Sequence, residues 1–270
     1  MARPIVFCSD YGVRDEFTGV CHGVIARIAP EARVIDLTHG IERHDVEEAA
    51  LVLARSVQFM PVDAVYLAVV DPGVGSERRP VAVEVTSGAL LVGPDNGLLT
   101  PACRTLGGAT RAVQLASPQY LLSPASSTFH GRDLFAPAAA HLARGVALEE
   151  LGPPVDPSTL HDAGIPRAEV KGDSIRCAVL SVDGFGNVQL NVRASELAEA
   201  GLSEAHELRV ETARGDRTLP RVRTFSDVPA GHAAALVDSS GYLALVVNGG
   251  NAAAELSLER RDGLVLARVG

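Results

Sequence analysis

Ala64–Val70 is an unbroken run of seven apolar residues. A membrane helix needs about 18–20 such residues, so the run cannot span a bilayer. It has the length of a strand. With no polar alternation, such a strand is covered on both faces, which implies helices packed on either side of a sheet. The upstream chain fits that frame. Residues 4–9 (PIVFCS) predict a second buried strand, closed by the turn Asp10-Tyr11-Gly12. Between Glu16 and Ile28, the residues Phe17, Val20, Cys21, Val24, Ile25 and Ile28 recur at helical spacing. Residues 33–37 predict a strand ending in Thr38-His39-Gly40, and Asp45 with Glu48 opens a helix over 46–59 that Pro61 stops. Strands alternating with helices build a parallel sheet.

The pattern then changes. Residues 80–85 and 89–93 flank a three-residue connection and predict a hairpin, followed by the turn GPDNG at 93–97. A helix is expected over 132–144, ending at Gly145, with Pro137 either kinking it or setting its true start. Residues 152–167 carry Pro153, Pro154, Pro157 and Pro166 and read as a linker. Beyond it, short strands are expected near 174–182, 187–191, 207–212, 232–238, 242–247, 255–259 and 264–268, the pattern of a small barrel or sandwich. The expected organisation is an α/β N-terminal domain over 1–167, linker included, and a smaller all-β domain over 168–270.

Composition excludes several functions. The 47% apolar fraction supports a real core. A net charge of −9 with scattered basic residues argues against nucleic acid. The start, MARPIVFCSD, holds too few apolar residues for a secretory leader. Cys8, Cys21, Cys103 and Cys177 form no C-x-x-C pair and read as free thiols of a cytoplasmic protein. Lys171 is the one lysine among 24 basic residues, and Gly172 follows it, so no P-loop exists. G-x-G-x-x-G, G-x-S-x-G and H-E-x-x-H are also absent.

Ligands of open α/β sheets bind beyond the carboxyl ends of the strands. Three apolar strands end there in polar residues: Ser9-Asp10, Asp36 with Thr38-His39, and Asp71. Each could simply cap its turn; three in succession suggest a site rim. Asp71 runs into Pro72-Gly73, and Arg78 could fold back to it across the glycine loop as a structural pair or as part of a site. His130, beside Gly131 at a helix start, could join them as a proton acceptor for water. In the second domain, Asp183, Phe185 and Asn187 share a glycine-rich turn, either a tight β-turn or a set of groups suited to a purine or an amine.

Seven ordered segments together resemble the S-adenosylmethionine hydroxide adenosyltransferase family, relatives of the fluorinase and chlorinase. They are SDYG (9–12), VIDLTHGIERHDVEEAA (34–50), VVDPGVGSERR (69–79), GPDNGLLT (93–100), STFHGRDLFAPAAAHLA (127–143), DGFGNVQLN (183–191) and SSGYLALVVNGGNAA (239–253). The resemblance implies an α/β domain followed by a β-barrel. It also implies a homotrimer whose site is shared between subunits, and hydrolysis of S-adenosylmethionine to adenosine and methionine without a cofactor or metal. It assigns Asp71, Arg78 and His130 to catalysis. The sequence leaves open which of them takes the proton; the favoured arrangement has His130 as acceptor, Asp71 orienting the water or the imidazole, and Arg78 fixing Asp71. The resemblance assigns Asp10 to the ribose, Phe185 and Asn187 to the adenine, Asn251 and Ala252 to the adenine side, and Asp183 and Ser239 to the methionine end. Asp238 departs from the family's usual Asn, which would place an extra carboxylate near the substrate if it faced inward. The halogenating relatives carry Tyr at position 71, and the fluorinase carries Ser at position 131 and a long insertion for which Thr86-Ser87-Gly88 leaves no room. These differences favour water over halide. Two other readings are a metal-dependent hydrolase built from Asp10, Asp36, His39, His44 and His130, and a non-catalytic nucleoside-binding protein.

Overall fold

A computed structural model describes residues 2–269. The chain forms two compact units, Met1–Ile165 and Pro166–Gly270. In the first, the elements run β1 (Ile5–Ser9), α1 (Phe17–Ile28), β2 (Val34–Thr38), α2 (Val46–Ser56), β3 (Val65–Val69), β4 (Pro80–Val85), β5 (Leu90–Pro94), α3 (Thr100–Thr105), β6 (Ala109–Gln114), α4 (Ala136–Ala143) and β7 (Pro154–Val155). The strands lie in the order β2-β1-β3-β5-β4-β6-β7. β2, β1, β3 and β5 are parallel. β4 opposes both β5 and β6, which returns β6 to the common direction and makes the sheet mostly parallel.

The apolar run behaves as its composition requires. In β3, Val65, Leu67 and Val69 pack with α1 and α4 on one face, while Tyr66 and Ala68 pack with α2 and α3 on the other. All five are no more than 1% exposed. Asp45 starts α2 by accepting the Glu48 N–H at 2.9 Å, and the last predicted turn of that helix tightens into a 3-10 turn over Val57–Phe59. The helix expected over 132–144 divides between Phe135 and Ala136, with Pro137 in the first turn of α4. Pro137 has no N–H to give the Asp133 carbonyl, which instead accepts from Leu122 N at 2.9 Å. Ala136 N–H reaches back five residues to Gly131, closing one π-helical turn over Gly131–Phe135 before α4 begins.

The structure also adds elements to the sequence reading. α3 is six residues long with Pro101 in its first turn, too short for a periodic signal. β6 and β7 extend the sheet, and β7 pairs with β6 inside the stretch read as linker.

The second unit holds β8 (Glu169–Lys171), β9 (Ser174–Val182), β10 (Val188–Arg193), α5 (Ala194–Glu199), β11 (Glu207–Thr212), β12 (Gly215–Pro220), β13 (Ala233–Val237), β14 (Tyr242–Val247), α6 (Ala252–Leu256) and β15 (Gly263–Arg268). The strands are antiparallel in the order β12-β11-β15-β9-β10-β14-β13, with β8 on β9. A bridge from Arg221, just past β12, to Ala235 in β13 brings the sheet close to a closed barrel. The strand expected over 255–259 is not one. Asn251 Oδ1 caps the Ala254 N–H at 2.8 Å, which starts α6, and Ser257 ends it in a left-handed conformation. β12 escaped prediction because most of its residues are exposed and carry no apolar alternation.

β3 and β5 approach so closely that a Cβ on Gly93 would lie 2.3 Å from the Ala68 carbonyl oxygen, a backbone atom that cannot swing away. Gly93→Ala is therefore expected to destabilise the protein by about 1–3 kcal/mol, read as a lowered midpoint in urea unfolding. A wild-type midpoint would contradict this packing.

Candidate active site

β1 and β3 are adjacent and parallel, with Ser9 opposite Val69. Asp10 and Asp71 therefore leave the same edge of the sheet from neighbouring strands. A glycine-dependent contact and a buried carboxylate complete the constellation. Gly75, at φ +78°, lies against the Ser127 carbonyl, where a Cβ would sit 2.7 Å from the oxygen. This brings the loop after β3 against the loop that carries His130. The second loop is fastened by Asp133, which is buried and accepts from Ser126 N at 2.7 Å and from Arg132 Nε and Nη2 at 2.6 and 2.8 Å.

Arg78 then joins the two loops. Its Nε donates to Asp71 Oδ1 at 2.9 Å and its Nη2 to Asp71 Oδ2 at 2.5 Å. The same Nη2 donates to His130 Nδ1 at 2.6 Å, and the guanidinium carbon stands 5.1 Å over the ring of the buried Phe135. The Arg78 and Asp71 side chains are 9% and 7% exposed. The three residues singled out in the sequence thus form one hydrogen-bonded set. Burial first, and then the facing Arg78 charge, push the His130 imidazole below the ordinary histidine range.

The set borders a cleft of about 490 Å³ lined by Asp10, Tyr11, Phe17, His44, Asp71 and His130 among others. Asp10 Oδ2 accepts the His44 N–H at 2.9 Å, holding His44 at φ 67°. Tyr11, Phe17 and Phe129 form an aromatic wall, with ring centroids 5.1–5.9 Å apart. Tyr11 and Phe129 lie within SDYG (9–12) and STFHGRD (127–133), and the sequence alone gives them no role. Their signal was their place beside Asp10 and His130. The Tyr11 hydroxyl occupies the space that a side chain at Gly131 would need, 1.9 Å from the Cβ position. Arg79 turns away to the buried Asp95, with Nε and Nη2 at 2.9 and 2.5 Å from Oδ2, and anchors the loop from behind.

In the second unit, Asp183 organises its own turn. Its Oδ1 accepts from Phe185 N and Asn187 N, both at 2.9 Å, and its Oδ2 accepts from Asn187 Nδ2 at 2.8 Å. Phe185 is left 82% exposed. Asn251 packs on Gly186, where a Cβ would lie 2.2 Å from its Cγ, and Ala253 N donates to Gly186 O at 3.0 Å. Asp183, Phe185, Asn187, Asn251 and the buried Ala252 therefore belong to one surface region. Ser239 lies in the turn before β14, at the opposite end of that strand from Asn251. Asp238 turns inward on its own loop, accepting from Ser240 N and Tyr242 N at 2.8 and 3.0 Å and from Gln189 Nε2.

The residues of the metal-hydrolase reading do not assemble. Asp36 and His39 meet each other and His22, and among the described residues these three are the group of His, Cys, Asp or Glu close enough to share an ion. Asp10, His44 and His130 stand apart from it. All four cysteines are free and buried. No helix among the described residues is long and apolar enough to cross a membrane.

Residues 5–152 match the model of the SAM hydroxide adenosyltransferase N-terminal domain, and residues 177–265 match that of the C-terminal domain. The chain is 48% identical to an (R)-S-adenosyl-L-methionine hydrolase of Salinispora tropica, covering 96% of each chain. It is 40% identical to a protein of the same name from Thermus thermophilus, covering 95% of this chain and 96% of the other. Fluorinases stand farther off, at 30% identity or less. Its structure resembles the crystal structure of an uncharacterized conserved protein from Thermotoga maritima, with a TM-score of 0.92 and 32% identity over 98% of this chain and all of that one. The chain belongs to the SAM hydroxide adenosyltransferase family.

Proposed function

We propose that the chain cleaves S-adenosylmethionine with water at the ribose C5′, releasing adenosine and L-methionine, and that it takes the R sulfonium epimer named for its relatives. The observation that carries this reading is the Arg78 guanidinium bridging Asp71 and His130 at the edge of a cleft that also holds Asp10. The sulfonium leaves as a neutral thioether, so no acid is required at sulfur. What the reaction needs is a water held in line with the C–S bond, about 3–3.5 Å from carbon, and a group to take its proton.

The geometry redistributes the expected roles. A guanidinium has only donors, so its bond to His130 Nδ1 leaves the proton of the neutral ring on Nε2. In that state His130 donates and cannot serve as the base. Each Asp71 oxygen retains a lone pair beyond its bond to Arg78, so we assign Asp71 as proton acceptor, His130 as the donor that orients the water oxygen, and Arg78 as the clamp on both. As the O–C5′ bond forms, the C–S pair passes to sulfur and the water proton to Asp71. Asp10 accepts from the ribose hydroxyls with the lone pairs that His44 leaves. Phe185 offers its exposed face to adenine, with Asn187, Asn251 and Ala252 at the base edge, and Asp183 and Ser239 receive the methionine ammonium and carboxylate. In this reading the protein is a cytoplasmic homotrimer whose site is completed by a neighbouring subunit, and it uses no cofactor and no nucleic acid. Sedimentation at the monomer mass would contradict the trimer.

The reading is tested by incubating the protein with each sulfonium epimer in ¹⁸O-enriched water. Adenosine labelled at the 5′-hydroxyl is expected, from the R epimer. Label in methionine, or free adenine, would identify a different bond cleavage. Asp71→Asn and His130→Ala should lower kcat while leaving substrate affinity within about tenfold, roughly 1.4 kcal/mol. Arg78→Ala should do the same and also cost about 3–5 kcal/mol of stability, because it strands a buried carboxylate.

The pH profile separates the roles further. His130 is held below the ordinary histidine range by burial and by Arg78, so the neutral ring is the favoured folded form and is lost only as pH falls. Turnover should be level through neutral pH and decline only below that range, when the imidazolium can no longer accept from Arg78. An acid limb at or above the ordinary histidine value would refute this arrangement.

Gly131 gives a third test. Gly131→Ala must displace the Tyr11 hydroxyl and is expected to impair turnover, whereas Tyr11→Phe vacates the nearest atom. The double variant should therefore recover part of the loss, with a coupling energy of about 0.5–3 kcal/mol in a double-mutant cycle. Strict additivity would show that Tyr11 is not the obstacle.

A further inference from the structure

Most carboxylates of the first unit that take part in ion pairs meet an arginine: Asp71, Glu84, Asp95, Asp133 and Asp162 all do. Asp36 meets two imidazoles instead. Its Oδ1 lies 2.8 Å from His22 Nε2 and 3.0 Å from His39 Nε2. His22 comes from α1, Asp36 from the middle of β2, and His39 from the residue that follows β2, so three separate backbone positions aim their donor atoms at one point. None of the three lines the cleft, and the hydrolytic reaction makes no use of them.

We propose that His22, Asp36 and His39 bind one divalent transition-metal ion of the zinc class, outside the reaction cleft. Two imidazole nitrogens and one carboxylate oxygen suit zinc and its neighbours. They do not suit magnesium or calcium, which take oxygen ligands. In a tetrahedral site with bonds of about 2.0–2.1 Å, neighbouring donors stand roughly 3.3 Å apart. The observed 2.8 and 3.0 Å are reached from that arrangement by shifts of a few tenths of an ångström.

The surroundings are also those of a metal site. Ligating histidines bond their second ring nitrogen to an outer partner that fixes the ring, and His39 Nδ1 stands 2.7 Å from Ser9 Oγ. The hydroxyl can donate or accept. It therefore supports the metal-free tautomer, with the proton on Nε2, and equally the metal-bound one, with the proton on Nδ1. The buried His39 ring packs edge-on against Phe7 at 4.6 Å, and His22 packs on the same ring at 6.0 Å. Access for the ion and room for a water ligand come from the other side, where the His22 and Asp36 side chains are 34% and 46% exposed. The site connects to the cleft through short links: His39 O accepts from Gly12 N at 2.7 Å, Ser9 Oγ accepts from Tyr11 N at 3.3 Å, and the Phe7 ring that packs on both histidines also meets the Tyr11 ring edge-on at 6.5 Å. Occupied, it braces the loop that carries Asp10 and Tyr11 and takes no part in the displacement.

The test uses the full chain, stripped with a chelator and titrated with Zn²⁺ by calorimetry. One ion per chain is expected, with affinity at least tenfold weaker in both His22→Ala and Asp36→Asn. Bound Co²⁺ should give the visible absorption of a low-coordinate site in the wild type and lose it in His22→Ala. Absence of stoichiometric uptake by the wild type, or uptake retained at equal affinity in either variant, overturns the proposal. Cleavage of S-adenosylmethionine is assayed separately on the stripped wild type and on His22→Ala and is expected to be unchanged in both. A failure of the hydrolase reading is thereby distinguished from a failure of the metal site.

Discussion

The buried pair between Arg78 and Asp71 is the interaction on which the rest of the cleft depends. Taking two charges out of water is costly, and their attraction repays it only when the geometry is good and the remaining hydrogen-bonding groups are used. Here the guanidinium meets both carboxylate oxygens, spends a further donor on His130, and lies over the Phe135 ring. The pair therefore also dictates the protonation of its neighbour. A permanently protonated donor at Nδ1 admits only a lone pair there, so the direction in which His130 can move a proton is set by Arg78 rather than by the imidazole itself.

Arg78 and Asp71 share the loop after β3, and the pair reaches His130 only because the backbone brings a second, distant loop against the first. Asp71 follows a strand with both faces buried, and its position is as rigid as the sheet. The His130 loop has no such support, and its placement rests on local devices. Gly75 permits the contact with Ser127, Asp133 ties Ser126 and Arg132 together, and a π-helical turn begins at Gly131, just ahead of α4. π-Helical turns are costly and are often found at functional sites. Here the turn sets His130 at its head.

How much of this the sequence discloses follows from the same physics. β1 and β3 were legible because burial on both faces leaves an apolar run that nothing else explains, and Asp10 and Asp71 were legible as the polar residues that end such runs. α3 and β12 were not, since six residues with a proline, or a mostly exposed strand, carry no periodic signal. Residues 255–259 (ELSLE) misled because Leu256 and Leu258 alternate with polar residues in the period of a strand, and the decisive Asn251 cap is a single hydrogen bond upstream. The role of Tyr11 is not legible in the sequence because it lies in a distance to Gly131, 120 residues away, and no local pattern encodes it.

The loops of the second unit show a related economy. Asp183 and Asn251, read from the sequence as groups that face a ligand, are first of all the residues that shape their own turns. Each accepts backbone N–H groups within four residues of itself. A carboxylate oxygen or an amide so engaged still has a lone pair or donors to offer, but it offers them from a fixed position. The same holds for Asp10, whose bond to His44 fixes one oxygen before any ligand arrives. Binding groups that are already immobile lose little conformational entropy on binding. In this protein the polar residues that hold the loops and those proposed to hold the substrate are therefore the same residues, and replacing one removes a contact and loosens the loop that presents its neighbours.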